Sequence, residues 1–163
     1  MNIICWFDGA CEPVNPGGTA SWGIVVKDED DLIHFSSGIV GQGAGMSNNV
    51  AEYAALIALF NYILSMDADI KIALIYGDSQ LVIRQMRGEF KVRGGLYVSY
   101  YHQAKELADR LRSLGVALDF EWIPREQNIQ CDKISRSVLP SAPAGHKRGP
   151  TVLASDEDAG GPL

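Results

Sequence analysis

Two runs of apolar residues, one at the start of the chain and one near its middle, constrain the fold more than any other feature. Residues 2–7 and 70–76 are almost continuously apolar, which is typical of strands buried on both faces of a sheet. Asp8 directly follows the first run, and Asp78 follows the second after one glycine. Because a helical segment separates the runs, we expect two parallel neighbouring strands joined by a right-handed crossover.

The remaining segments complete an alternating pattern of strands and helices. Residues 19–27 and 32–40 read as strands on either side of an acidic turn, so the first three strands should form an antiparallel meander. Ser47 and the two asparagines after it are good helix-capping residues, and apolar residues then recur at helical spacing. Helices are predicted at residues 47–64, 79–87, 96–114 and 128–138, and a last strand at residues 116–123. This order predicts an α/β fold with a five-stranded mixed sheet flanked by helices.

The chain length and its end indicate one domain. The 163 residues suffice for one core, and we assign residues 1–139 to it. Residues 140–163 contain four prolines among Gly, Ala and Ser, so we expect a disordered tail. Neither a secretory signal nor an apolar run of membrane-spanning length is present. We therefore expect a cytoplasmic protein that does not enter a membrane. The starting Met and a tail without another domain favour a free-standing enzyme, which we expect to be a monomer.

Charge and cysteine content exclude some classes of protein. A net charge of −6 argues against binding nucleic acid by bulk electrostatics, so basic residues would have to act locally. Three cysteines without regular spacing argue against a disulfide framework or a zinc site. We interpret Cys5 as a small buried apolar residue.

Four acidic residues are predicted to converge at one edge of the sheet. Asp8 and Asp78 should leave parallel strands at the edge where ligands bind in such sheets. Glu52 lies early in the connecting helix, and Asp132 lies on the closing helix. Carboxylates this close repel one another unless a cation neutralises them. Oxygen ligands without His or Cys favour Mg²⁺ or Mn²⁺, and two such ions about 4 Å apart can hydrolyse a phosphodiester.

Each acidic residue also has a purely structural interpretation. Asp8 could belong to a simple turn, and Asp78 could cap the helix that follows it. Glu52 could be a solvated helix residue, and Asp132 could interact with a helix N-terminus. Spacing alone therefore leaves the metal nuclease as one of two open interpretations.

Four short motifs, in order along residues 2–138, resemble the type 1 ribonuclease H family. They are Asp8-Gly9-Ala10-Cys11 with Asn15-Pro16-Gly17, Ser47-Asn48-Asn49 with Glu52, Gly77-Asp78-Ser79-Gln80-Leu81-Val82, and Asn128 with Cys131-Asp132. No single motif is specific, whereas their combination is. The resemblance implies the ribonuclease H fold and an endonuclease that cuts the RNA strand of RNA–DNA hybrids. It further implies 5′-phosphate products and two Mg²⁺ (or Mn²⁺) ions.

The resemblance also implies roles for individual residues. The four carboxylates would be catalytic metal ligands, with a weak main-chain contribution from Gly9. Gly9, Ala10 and Cys11 would lie near the RNA backbone, where 2′-hydroxyls are read. The other expected substrate contacts are Asn15, Ser47, Asn48, Asn49, Gln80, Arg84, Lys91, Arg125 and Asn128. Helix capping remains the alternative for the asparagine pair.

The sequence departs from better-known members at two places and resembles the short archaeal and bacterial subgroup there. A loop His before the last aspartate is missing, and we hypothesise that Arg125 or Glu126 takes over part of its role. The basic protrusion that grips the hybrid is also missing. Its place holds only Arg84, Arg87, Lys91 and Arg93, for which a solvated helix face is the alternative. Substrate affinity should therefore be modest and salt-dependent.

Residues outside the motifs receive structural interpretations. We take His34, His102 and His146 as structural or solvated, and we expect all three tryptophans, Trp6, Trp22 and Trp122, in the core. Three other functions stay open. They are a nuclease of the same fold with another substrate, such as an exonuclease or a junction resolvase, a non-catalytic nucleic-acid-binding domain, and a piece of a reverse transcriptase. Double-stranded RNA is a further candidate partner of the hybrid-cutting enzyme.

Overall fold

The computed structural model describes residues 1–140 and the backbone of residues 161–162. The nine predicted elements are present in the expected order, and three short elements are added to them. The strands are β1 (Asn2–Glu12), β2 (Thr19–Asp28), β3 (Asp31–Gln42), β4 (Ile72–Gly77), β5 (Phe90–Lys91), β6 (Ala117–Trp122) and β7 (Gly161–Pro162). The helices are α1 (Asn48–Ser65), α2 (Gln80–Met86), α3 (Val98–Ser113) and α4 (Ile129–Ser137), with a 3-10 turn at Arg125–Gln127.

Five strands form one mixed sheet in the order β3-β2-β1-β4-β6. The pairs β1–β2 and β2–β3 are antiparallel, which is the expected meander. The pairs β1–β4 and β4–β6 are parallel, with helices in the connections between their strands. The predicted fold class is therefore confirmed.

The register between β1 and β4 places two acidic residues side by side. Asn2 lies opposite Ile72 and Trp6 lies opposite Tyr76, so the paired residues keep a constant spacing along both strands. Two residues further along, the same register brings Asp8 level with Asp78. The two carboxylates therefore meet because the strands are aligned, and not because either strand ends early.

Helices cover both faces of the sheet. Ile24 belongs to the core between the sheet and α1, and on α1 the residues Leu56, Leu59 and Phe60 are fully buried. Each such burial contributes about 1.5–3 kcal/mol relative to exposure. The next residue back along β2, Gly23, faces the other way, because strand side chains alternate. A Cβ there would lie 2.6 Å from a main-chain nitrogen of α4, so α4 packs on the opposite face.

Two expectations about single elements were wrong. β1 does not end at Asp8 but continues to Glu12, because its antiparallel pairing with β2 outlasts its pairing with β4. Trp122 is not a core residue, since it lies at the end of the outer strand β6 with 43% of its surface exposed. Cys5 is fully buried, as expected, and the three cysteines are free thiols.

The C-terminal segment is described only in part. Residues 141–160 and 163 lie outside the described residues, and so does the expectation of disorder for residues 140–163 over that stretch. At residues 161–162 the backbone forms β7, in which Pro162 lies opposite Phe90 of β5, and this differs from the expectation there. Within the described part of the chain, every helix is too short or too polar to cross a bilayer.

Candidate active site

Three carboxylates from three different elements meet beyond the parallel strands. Asp8 projects from β1, Glu52 from the second turn of α1, and Asp78 from the turn between β4 and α2. One oxygen of each lies within 4.8 Å of the other two. Asp8 and Glu52 are buried and Asp78 is half-buried. We call these three residues the carboxylate triad, and its oxygen atoms suit a divalent cation such as Mg²⁺ or Mn²⁺.

Gly9 lets α1 approach β1 closely enough to bring Glu52 to the site. A Cβ at this position would lie 2.2 Å from the carbonyl carbon of Ala51, so no other residue fits without moving the helix. The Gly9 amide also hydrogen-bonds the Glu52 carboxylate. At the start of α1, Ser47 Oγ accepts a hydrogen bond from the Val50 amide at 3.1 Å and caps the helix. Ser47 thus fixes where the helix begins, and Gly9 fixes how near it lies.

The environment of the triad resists negative charge. Burial, followed by the charges of Asp78 and Asp132, raises the pKa of Asp8 from 3.8 to about 7. Burial, followed by the charges of Asp8 and Asp78, raises the pKa of Glu52 well above its usual value. Burial is also the main cause of the raised pKa of Asp78. A divalent cation among these groups would offset the burial and the repulsion and keep the carboxylates ionised.

Two buried oxygens of the triad lack a hydrogen-bond partner within the described part of the chain. They are Oε2 of Glu52 and Oδ2 of Asp78. A buried acceptor without a partner costs about 1–3 kcal/mol, and more when it is charged. Both oxygens belong to carboxylates of the triad, so the residues present fit a bound divalent metal ion.

Asp132 lies beside the triad rather than within its closest cluster. It is in the first turn of α4, and the group of mutually close oxygens does not include it. Its Oδ1 accepts a hydrogen bond from Arg136 Nε at 2.9 Å and lies 3.5 Å from the Arg125 guanidinium. Its charge still contributes to the raised pKa of Asp8 and Asp78. A fourth carboxylate is therefore held next to the triad by two arginines.

Two residues of α4 that contact the site were missed in the sequence. Ser135 Oγ donates a hydrogen bond to Asp8 Oδ2 at 3.0 Å. Arg136 pairs with Asp132 and also with Glu12 at the end of β1. Ser135 and Arg136 follow Asp132 by three and four residues, so the helical repeat alone would have placed them on its face.

Trp122 is a third contact that the sequence did not reveal. Its Nε1 donates a hydrogen bond to the main-chain carbonyl of Asp78 at 3.1 Å. The contact depends on the parallel register in which Gly77 lies opposite Trp122. Because no local spacing in the sequence encodes that register, the sequence does not indicate this contact of Trp122.

Polar residues expected to bind substrate hold the loop after β1 against the start of α1. Asn48 Oδ1 accepts a hydrogen bond from the main-chain N–H of Cys11 at 3.0 Å. The main-chain N–H of Asn48 donates to Asn15 Oδ1 at 2.8 Å. The side chains of Ala10 and Cys11 are buried beside them. These two hydrogen bonds join the loop and the helix into one surface next to Gly9. Contacts of these residues, and of Ser47 and Asn49, with a substrate stay predictions.

The other expected substrate contacts differ in accessibility. Exposed members are Gln80, Arg84, Lys91 and Arg125. Asn128, in contrast, is 1% exposed, and its Nδ2 donates a hydrogen bond to the Phe7 carbonyl at 3.0 Å. Asn128 therefore ties the start of α4 to β1, and its contact with a substrate also stays a prediction.

The comparison with known sequences supports one family. Residues 6–138 match the family described as reverse transcriptase-like. The bifunctional protein Rv2228c of Mycobacterium tuberculosis is 32% identical over 144 residues, which cover 87% of this chain and 36% of that protein. The chain thus spans about a third of the length of this relative.

Two similar solved structures are ribonucleases H. The N-terminal RNase H domain of Rv2228c from Mycobacterium tuberculosis has a TM-score of 0.73 at 29% identity, covering 86% of this chain and all of that one. LC11-RNase H1, isolated from compost and solved in complex with an RNA/DNA hybrid, has a TM-score of 0.73 at 28% identity, covering 84% and 96%. The resemblance predicted from the motifs is confirmed. The chain belongs to the reverse transcriptase-like family and groups, by its fold, with the type 1 ribonucleases H.

Proposed function

We propose that this chain is an endonuclease that hydrolyses the RNA strand of RNA–DNA hybrids and leaves 5′-phosphate ends. The observation that carries the proposal is the carboxylate triad, whose oxygens lie within 4.8 Å of one another at the strand ends of a ribonuclease H fold. A similar structure, LC11-RNase H1, was solved with an RNA/DNA hybrid bound. The whole catalytic unit would lie within residues 1–139.

Two Mg²⁺ or Mn²⁺ ions are the proposed cofactors. Asp8 and Asp78 would flank both ions, Glu52 would bind one ion and orient the scissile ribose, and Asp132 would complete the second site. The Gly9 main chain would contribute weakly. Bound divalent ions would polarise the phosphodiester and activate water as the nucleophile. The partnerless oxygens of Glu52 and Asp78 support this assignment.

Neighbouring residues would hold the metal-binding carboxylates in position. Ser135 holds one oxygen of Asp8, and the Asp8 carboxyl also hydrogen-bonds the Glu52 side chain. The Asp78 main chain is held by an indole N–H. Asp132 is half-buried and contacts two arginines, which hold it beside the triad. We propose that Arg125 or Glu126 beside it assists proton transfer or product release.

Substrate contacts are proposed on both sides of the triad. Gly9, Ala10 and Cys11 would follow the RNA backbone and read 2′-hydroxyls, and their main chain would do this where the side chains are buried. Lys91 would meet a phosphate of the DNA strand, and Arg84 would meet a phosphate of the hybrid. Further contacts are proposed for Asn15, Ser47, Asn48, Asn49, Gln80, Arg125 and Asn128.

With a net charge of −6, the chain should bind hybrid with modest affinity that falls steeply with salt. We propose that it acts as a cytoplasmic monomer.

The experiment that tests the function compares four end-labelled substrates with Mg²⁺ or Mn²⁺. These are an RNA–DNA hybrid, duplex RNA, duplex DNA and single-stranded RNA. Internal cuts in the RNA strand of the hybrid are expected, and they should be lost in Asp8→Asn but kept in the exposed-turn control Asp30→Asn. If the RNA–DNA hybrid is not cleaved with either metal, the proposal is overturned. Tight binding without cutting would identify a non-catalytic nucleic-acid-binding domain instead.

A further inference from the structure

A recess of about 310 Å³ opens beside the carboxylate triad, and its aromatic wall, Trp122, takes no part in the substrate contacts proposed above. It is lined by Gln80, Ile83, Arg84, Arg87, Glu121 and Trp122. The recess adjoins the active site directly, because its wall residue Trp122 donates a hydrogen bond to the Asp78 carbonyl at 3.1 Å. A strand whose scissile phosphate lies at the triad therefore passes within reach of it.

The exposed indole is the most unusual part of this recess. Trp122 has 43% of its surface exposed, although its N–H is anchored and its ring cannot turn away freely. An anchored, exposed aromatic ring offers a rigid stacking surface at low entropic cost. Aromatic side chains in such positions bind the bases or sugars of nucleic acid strands.

The charges around the recess leave one arginine able to meet a phosphate. Arg87 is engaged on two sides, 3.0 Å from Glu121 and 3.8 Å from Glu89. Among the described residues, Arg84 forms one loose ion pair, with Glu89 at 3.6 Å, and it lies over the Phe90 ring at 5.3 Å, with 45% of its side chain exposed. Arg84 can therefore exchange a weak, solvated pair for a phosphate, whereas Arg87 serves to fix the wall.

Gln80 completes a set of groups that suits one nucleotide. It is exposed at the first position of α2, two residues after Asp78, and its amide can both donate and accept hydrogen bonds. An aromatic face, an amide and a guanidinium thus surround one recess. These are the groups that recognise a base or sugar, a polar edge and a phosphate.

We propose that this recess is a nucleotide-binding subsite that holds the unit of the hybrid next to the cleavage position. The Trp122 ring would pack on the base or sugar, Arg84 would bind the adjoining phosphate, and Gln80 would contact a polar edge. The subsite rests on the proposed function, since it orients a strand for the triad. It also supplies a grip on the substrate within a chain whose net charge is negative.

Fluorescence tests the contact without cleavage. In the full chain carrying Asp8→Asn, uncut RNA–DNA hybrid should quench tryptophan emission. The quench should largely vanish when Trp122→Phe is added and persist when Trp6→Phe is added, because Trp6 packs against Tyr76 in the sheet. Anisotropy of a labelled hybrid reports binding in the same samples. A quench that is absent, or that survives Trp122→Phe, would overturn the subsite.

Steady-state kinetics separate the ring from its N–H. Trp122→Leu removes both, and the loss of a stacked unit should raise KM for hybrid by about tenfold. Trp122→Phe keeps a ring, so KM should rise by less than about threefold, while both variants lower kcat through the loosened Asp78 turn. Phe35→Leu, at an exposed aromatic residue on the distant strand β3, is the matched control and should leave both constants unchanged.

A third variant guards against a folding defect at Trp122. Arg84→Gln should reduce the slope of log binding constant against log salt by about one, as expected for one lost phosphate contact. An unchanged KM in a folded Trp122→Leu, with an unchanged slope in Arg84→Gln, would overturn this proposal while cleavage continues. Wild-type protein that neither cuts nor binds hybrid would overturn the proposed function and the subsite together.

Discussion

Replacing Asp8 by Asn should stabilise the metal-free protein at pH 8 while it abolishes hydrolysis. The side chain is 4% exposed and lies next to two other carboxylates. Without a cation, ionised Asp8 is therefore both desolvated and repelled. An amide of the same shape removes the charge, and the metal ligand is lost with it.

The size of the effect follows from the pKa of Asp8. A carboxyl whose pKa rises from 3.8 to about 7 on folding costs the folded state up to about 4 kcal/mol once it is ionised. The Asn amide must still be desolvated, so we expect about 2 kcal/mol of this to be recovered. For 163 residues, this gain corresponds to a rise of about 4–8 °C in Tm.

The gain should grow with pH. Below about pH 4 the Asp8 carboxyl is protonated in the folded and the unfolded chain, so the substitution gains nothing. Between about pH 4 and pH 7 the unfolded chain releases the proton and the folded chain keeps it, so wild-type stability falls as pH rises. Above pH 7 the whole cost is present. Glu52, whose pKa is also raised, acts in the same direction.

The assay is thermal unfolding with EDTA at pH 4, 6 and 8, with Asp30→Asn as the exposed control. The control should stay within about 0.5 kcal/mol of wild type. Added Mg²⁺ or Mn²⁺ should raise Tm of the wild type and have little effect on Asp8→Asn. A variant that is less stable than wild type at pH 8, or that gains equally at pH 4 and pH 8, would refute the reasoning.

Three further variants have specific expected outcomes. Gly9→Ala places a methyl group 2.2 Å from the backbone of α1, so we expect a loss of about 1–3 kcal/mol in unfolding free energy and a fall in kcat, whereas Gly45→Ala, which has open space around it, should change little. Ser135→Ala removes a hydrogen bond that lowers the pKa of Asp8. The acidic limb of the pH–rate profile should therefore move to higher pH, and an unchanged limb would count against that role. Arg125→Ala combined with Glu126→Ala should lower turnover with little change in melting temperature, because both side chains are exposed; full turnover would end the idea that they replace a loop His.

The fold was predictable because its main signals are local. The apolar runs of β1 and β4, the capping serine of α1 and the glycine breaks each act over a few residues. Topology then followed from the rule that a strand–helix–strand connection is right-handed. The bounds were less predictable, since the extra length of β1 depends on how far its partner β2 extends.

The site was predictable where a motif names a residue and less so where contact depends on register. Asp8, Glu52 and Asp78 were expected to converge, and their oxygens do. The pairing of Asp132 with Arg136 was missed although the helical repeat gives a local signal for it, since the two residues lie one helical turn apart. Trp122 was placed wrongly, because an apolar residue in a strand pattern reads as core unless the strand is known to be the outer one.

The start of α1 has a consequence for how this fold closes its sheet. Asn48 and Glu52 are one helical turn apart, about 6 Å along the axis, and they bond the amides of Cys11 and Gly9, which are about 6.8 Å apart along β1. Because the two spacings nearly match, one face of α1 covers the edge of β1 beyond the end of β4 at Gly77. Unwanted strand pairing at that edge is thereby blocked. One residue inserted between Asn48 and Glu52 would rotate the carboxylate by about 100°. The spacing of Asn48 and Glu52 therefore serves both protection against aggregation and the geometry of catalysis, and a change in it would affect both.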